Sequence, residues 1–372
     1  MLYMNDKIVM QKINEMARLA YAINIARDNL GYSVRYINYK AIKKAVEALK
    51  VYDKLYFYGV KNTSQIKREY LQKLSSIGNY IWLTVDEMSK GGRAIDIERI
   101  NPVTGRPMTG STSAGCINVL LGINDFAIGT DGGGSVLGPA MSCNLYSIMA
   151  KGLGLEGKKL KKSTDGINFI PGIGIIAKDL FVSKDVLSNL IDLDDTIDFR
   201  NLKVGSPRKG DINLPIIGDV REDLYNIERA LSKEGITVID IDLKDVLKRE
   251  DAIYKLNKAF EEVDIVITKE GPIDIFGLGD SVLGIMGYVG SYIQNSSGKY
   301  LLKVANMVNT TAITVPSENL GVGILIIAKE GNEYGTAAIK LAEIIDSNIS
   351  HPKLFYEYFN TKEYDDILFE VN

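Results

Sequence analysis

Short apolar runs alternate with helical stretches over most of the chain, and a fold for this sequence has to bury both kinds of element together. Ile8, Met10, Ile13, Met16, Ala17, Leu19, Ala20 and Ile23 recur at near-helical spacing and predict a helix over 7–29. A second helix is expected over 40–50, with Ile42, Val46 and Leu49 on one face. Leu55-Tyr56-Phe57-Tyr58, stopped by Gly59, reads as a strand whose aromatic rings pack against helices. A third helix over 63–76 takes Thr63 and Ser64 as caps and Gly78 as its stop, and 80–85 is again strand-like. The second half repeats the pattern, with strands over 202–205, 236–241, 263–268, 312–316 and 323–327 and helices over 222–234, 244–261 and 334–346. The fold class expected is α/β, a large mixed but mostly parallel β-sheet covered by helices on both faces.

Composition narrows the chemistry. A single histidine, His351, sits in a polar stretch near the C-terminus, so a Ser-His-Asp triad or a zinc site has little to draw on. Two cysteines, Cys116 and Cys143, make no disulfide framework; they read as small core residues and suit a reducing cytoplasm. No cofactor or metal is called for. With 44 basic against 47 acidic side chains the net charge is −3, which gives no electrostatic footprint for nucleic acid or an anionic membrane. No apolar run is long enough for a membrane span, and residues 1–7 do not read as a secretory signal. Asp240, Asp242 and Asp264 read as polar residues at strand ends, and the lysines at 158, 159, 161 and 162 as a solvated loop.

Glycine is concentrated in one place: nine of the 35 lie between Gly105 and Gly138. The segment reads Thr109-Gly110-Ser111-Thr112-Ser113-Ala114-Gly115, then an apolar stretch, then Gly129-Thr130-Asp131-Gly132-Gly133-Gly134-Ser135. Neither the P-loop pattern nor G-x-G-x-x-G fits, because Ser135 follows glycine and Leu137 stands three residues after Gly134. Tight turns against a sheet are one reading. An oxyanion hole is another, since consecutive glycine amides before a serine can converge on the oxygen of the carbonyl that the serine attacks.

These two segments, in this order, resemble the amidase signature family. Gly129 to Ala140 follows its G-T-D-x-G-G-S-[IV]-R-x-P-A pattern, and the interval from Ser111 to Ser135 is similar to that between the family's two catalytic serines. Asn101-Pro102, Gly174 to Leu180, Asp264 to Thr268, Ala305 to Val308 with Ala312 to Pro316, and Gly321 to Leu325 resemble further family segments, so the likeness covers most of the chain. It implies one amidase-like domain over 1–372, with an N-terminal helical part and first strand in 1–62, a signature core in 100–180, and C-terminal sheet and helices in 200–350.

The resemblance also implies a mechanism without histidine. Ser135 would be the acylated nucleophile, Ser111 a bridging serine held by a cis peptide, and a neutral lysine the base. Gly132, Gly133 and Gly134 would form the oxyanion hole, with Thr130, Asp131 and Gly110 in support. Lys61 follows two helices and a strand, as the family's lysine does, and is preferred; Lys40, at a more usual distance before Ser111, is the runner-up. Leu137 replaces the family's arginine and Met149 its usual lysine. The expected function is hydrolysis of a small-molecule amide in the cytoplasm. A catalytically inactive binding protein or subunit, and a glutamine-dependent amidotransferase A-type subunit, stay open, as does a homodimer or a partner subunit.

Overall fold

The computed structural model describes residues 2–359, apart from 164, 195 and 197. Its strands in chain order are β1 (Val34–Ile37), β2 (Tyr56–Lys61), β3 (Tyr80–Asp86), β4 (Ile95–Ile100), β5 (Pro107–Thr109), β6 (Phe126–Asp131), β7 (Tyr146–Ala150), β8 (Lys161–Lys162), β9 (Asn168–Phe169), β10 (Gly172–Ala177), β11 (Val204–Pro207), β12 (Asn213–Leu214), β13 (Gly218–Asp219), β14 (Val238–Ile241), β15 (Ile265–Glu270), β16 (Thr311–Pro316) and β17 (Gly323–Ala328). Eleven of them form one sheet in the order β1-β3-β2-β6-β10-β7-β16-β17-β15-β11-β14. The helices that matter for the site are α1 (Leu2–Asp28), α2 (Lys40–Ala48), α3 (Arg68–Ile77), α4 (Ser113–Leu120) and α5 (Leu137–Ser142).

The sheet is mixed, as expected, but its parallel share is smaller. Parallel pairs occur towards both ends, β3-β2-β6 and β15-β11-β14, while β6 through β17 to β15 pair antiparallel and so does β1 with β3. The reason lies in burial. Every residue of β6, β7, β10, β15, β16 and β17 is buried, so these strands lack the one-sided alternation that marks an antiparallel sheet with a wet face.

Other boundaries shift modestly. α3 begins at Arg68 after an uncapped Lys67, and Thr63 instead accepts from the Gln65 amide at 3.3 Å in a turn. Tyr58 stacks on Phe126 with ring centroids 5.2 Å apart, which joins β2 to β6 through their side chains as well as their backbones. Arg18 of α1 reinforces that pair. Its Nη1 donates to both carboxylate oxygens of Asp125, at 2.7 and 2.9 Å, and Asp125 Oδ2 accepts from the Phe57 amide at 2.6 Å.

Candidate active site

β2 and β6 run parallel with Tyr58 opposite Phe126 and Val60 opposite Ile128, so their carboxyl ends emerge side by side. Open α/β sheets place ligands at such carboxyl ends. Lys61 closes β2, and Thr130 and Asp131 close β6. The third strand of chain at this point is the link between β5 and α4, which carries Ser111 and Thr112. Gly110 makes the approach possible: its φ is +68°, and a Cβ there would stand 2.5 Å from Pro139 Cδ and 3.3 Å from Ser135 Cα. The Thr112 amide donates to the Ser135 carbonyl at 3.2 Å, which ties the two serine segments together.

Lys61 is 3% exposed, and its Nζ bonds Ser111 Oγ at 2.6 Å, Thr130 Oγ1 at 3.0 Å, Thr130 O at 3.1 Å and Thr112 Oγ1 at 3.2 Å. Three of these four partners are hydroxyls, which can donate as well as accept. A neutral amine can therefore donate to Thr130 O and offer its lone pair to a hydroxyl. Among the described residues no carboxylate makes an ion pair with Lys61. Asp86, opposite Lys61 on β3, accepts instead from Thr84 Oγ1 and Asn118 Nδ2. Burial lowers the Lys61 ammonium from 10.5 to about 7, with Asp131 pulling the other way.

Asp131 builds the loop that carries Ser135. Its Oδ1 accepts from the Gly134 amide at 2.7 Å, and its Oδ2 from the Val136 and Leu137 amides at 2.6 and 3.2 Å. Burial pushes this carboxyl up while those three amides and Lys61 oppose the rise. The Gly134 amide is thus committed to Asp131, which removes it from the three donors expected. Gly132, Gly133 and Ser135 itself have amides that donate to no group of the described chain. Ser135 Oγ likewise makes no hydrogen bond within the described chain.

One further expectation is corrected. The peptide entering Ser111 is trans; the cis bond among the described residues is Gly271–Pro272. Gly110, with its left-handed φ, bends the chain just before Ser111. Lys40 opens α2 in an exposed position, beyond edge strand β1, whereas Lys61 is on the strand next to β6. Sheet order separates the two candidates. His351 pairs with Asp346 at 3.1 Å, and Asp240, Asp242 and Asp264 pair with Arg221, Lys255 and Lys329. Leu137 and Met149 are fully buried in the apolar core, where the family pattern has an arginine and a lysine. Cys116 and Cys143 are buried free thiols. Among the described residues no three His, Cys, Asp or Glu side chains gather as a metal site needs, and no helix is long and apolar enough to cross a membrane.

Several neighbours of the glycine loop were not legible in the motifs. Phe169 of β9 lies over Gly132, so closely that a Cβ there would be 2.2 Å from the ring. Leu302 covers Gly134, and Arg249, first residue of the helix Arg249–Glu262, reaches Gly133. Asn306, in a segment that the sequence did single out, donates to Gly132 O at 3.4 Å and Ile170 O at 3.2 Å and accepts from the Gly172 amide at 2.6 Å. Glu270 holds the covering strap: its carboxylate accepts from the amides of Tyr300, Leu301 and Leu302 at 2.6–3.0 Å, and burial pushes it up to about 7.

Solved structures share this arrangement of strands and helices. A 6-aminohexanoate cyclic dimer hydrolase superposes with a TM-score of 0.64 at 12% identity, over 92% of this chain and 96% of that one. A bacterial aryl acylamidase of the amidase signature family gives 0.62 at 14% identity, over 94% and 96%. The chain has the amidase signature fold. A peptide amidase from Stenotrophomonas maltophilia is similar again, with a TM-score of 0.61 at 13% identity over 92% and 94%. No family profile and no curated protein matches the sequence significantly. Within the amidase signature fold of this chain, Lys61, Ser111 and the Ser135 loop occupy one end of the β2–β6 pair.

Proposed function

We propose that the protein hydrolyses amides, with Ser135 as nucleophile, Ser111 as proton relay and Lys61 as base. The observation that carries this reading is the 2.6 Å contact of a buried, ion-pair-free Lys61 with Ser111 Oγ. A lysine so placed is neutral for much of its time near pH 7 and accepts the proton that Ser111 passes on. Ser135 Oγ then bonds to the carbonyl carbon, and its proton moves through Ser111 to Lys61. The charge developing on the carbonyl oxygen meets the amides of Gly132, Gly133 and Ser135, each such donor being worth roughly 3–4 kcal/mol in other hydrolases. The C–N bond breaks as the amine leaves with the proton that Lys61 returns. Water, deprotonated by the same relay, cleaves the acyl ester to a carboxylate and frees Ser135. The substrate is a small-molecule amide.

One observation favours a second reading, a protein of this fold that binds without hydrolysing: Ser135 Oγ has no hydrogen-bond partner in the described chain, so the relay is joined only at its Lys61–Ser111 half. A fluorophosphonate probe followed by peptide mass spectrometry decides between them. The hydrolase reading expects a covalent adduct on Ser135 that is lost in Lys61→Ala and Ser111→Ala. A folded wild-type protein that stays unlabelled at Ser135 overturns it.

A further inference from the structure

Arg249 presents an unmade fork to the glycine loop. Its Nη1 pairs with Asp165, on the turn between β8 and β9. Its other edge, formed by Nε and Nη2, bonds to nothing in the described chain: Nε is buried without a partner, and Nη2 lies 3.3 Å from the position a Cβ would take on Gly133. That side edge is the one through which a guanidinium engages a carboxylate by two parallel hydrogen bonds. A buried donor left unpaired is costly, which marks the edge as built for an acceptor.

The surroundings agree. Arg249 and Lys303 line a cleft of about 460 Å³, whose charged walls are Lys248, Arg249 and Lys303 against Asp165 and Glu250. Asp165 is already taken by Nη1, and the Lys303 ammonium donates to Leu247 O rather than to a carboxylate. Two residues of the cleft wall, Arg249 and Lys303, also pack on the loop that precedes Ser135: Arg249 Nη2 and the Lys303 carbonyl approach Gly133, and Lys303 Cα approaches Gly134. The walls therefore leave a surplus of positive charge beside the loop that precedes the nucleophile.

We infer that Arg249, with Lys303 beside it, reads a carboxylate on the substrate, so that the preferred amide is acidic and carries its carboxylate a few bonds from the scissile carbonyl. This rests on the reading of Ser135 as nucleophile. It assigns specificity to two residues that lie outside both glycine-serine motifs.

The test compares monoamides of dicarboxylic acids of graded length with the corresponding diamides, in which a neutral carboxamide replaces the carboxylate at nearly constant shape. For one chain length the acid should exceed the diamide in kcat/KM by about a hundredfold, as expected where a buried charge pair is made in one case and left unmade in the other. In Arg249→Gln that ratio should fall towards one, and Arg249→Lys, which keeps the charge but not the fork, should retain part of it. Equal turnover of acids and diamides by the wild type overturns the inference, and so does an unchanged ratio in Arg249→Gln, which would mark a merely structural arginine. If neither series is turned over, protection of the Ser135 adduct decides: free dicarboxylates should slow labelling of the wild type more than of Arg249→Gln, and no slowing overturns the inference. Absence of any Ser135 adduct strikes the hydrolase reading instead. Calorimetric titration of the full chain with the monoamides then judges Arg249 alone, with binding lost in Arg249→Gln supporting its role and no binding by the wild type refuting it.

Discussion

Titrating Lys61 tests the mechanism without knowledge of the substrate. With its ammonium at about 7, about a tenth of the lysine is neutral at pH 6, half at pH 7 and about nine-tenths at pH 8. The rate at which a fluorophosphonate labels Ser135 should then rise about tenfold from pH 6 to pH 8 and level off above it. Lys61→Arg should stay slow at every pH, because a guanidinium does not give up its proton in this range. The same group governs stability. Its pKa is lower folded than unfolded, so between about 7 and 10.5 the unfolded chain holds a proton that the folded chain lacks. In that window, stability gained from this group climbs with pH by up to about 1.4 kcal/mol per pH unit; below about 7 the full penalty, on the order of 5 kcal/mol, is in force. Urea unfolding at pH 7, 8 and 9 should show this slope in the wild type relative to Lys61→Met. A labelling rate that is flat from pH 5.5 to 9, or that rises only near pH 10, would refute the neutral-lysine argument, and parallel stability profiles for the two proteins would remove its physical basis.

Asp131→Asn keeps one acceptor oxygen but turns an amide NH2 towards backbone N–H donors. It should cost about 1–3 kcal/mol in urea unfolding and slow Ser135 labelling at all pH values. Gly59→Ala would place a methyl 2.2–2.6 Å from the carboxylate of Asp86 and the amide of Asn124. The expected loss is roughly 1–3 kcal/mol of stability, with the pH midpoint of labelling displaced because Lys61 lies two residues on. Leu137→Arg, which restores the arginine of the amidase signature pattern, should destabilise the fold strongly rather than raise activity; a soluble, fully active Leu137→Arg protein in thermal melts and labelling would show that the buried core around Leu137 tolerates a charge.

How much was legible depends on whether the signal was local. Ser111, Ser135 and Asp131 announce themselves through glycines that a crowded turn requires, and Lys61 through its place at the end of an apolar run. Strand direction in the centre of the sheet was not legible, since a strand buried on both faces reads alike in either sense. The choice between Lys61 and Lys40 needed the strand order, which is a long-range property. Commitment of the Gly134 amide to Asp131 needed the turn geometry, not the spacing. Arg249, Phe169 and Glu270 carry no motif; they become relevant only because the second half of the chain folds back over the glycine loop.

The sheet order also divides labour along the chain. Lys61, Ser111 and Ser135 all come from the first 140 residues and gather at one end of the β2–β6 pair. Phe169, Arg249, Leu302 and Lys303, which pack against Gly132, Gly133 and Gly134, come from later segments. The groups proposed to react and those proposed to recognise the substrate are therefore written in separate stretches of sequence. On the proposed roles, mutation can redraw the recognising surface while the bond-breaking centre stays untouched, so a lineage built on this plan can change its substrate without relearning its chemistry.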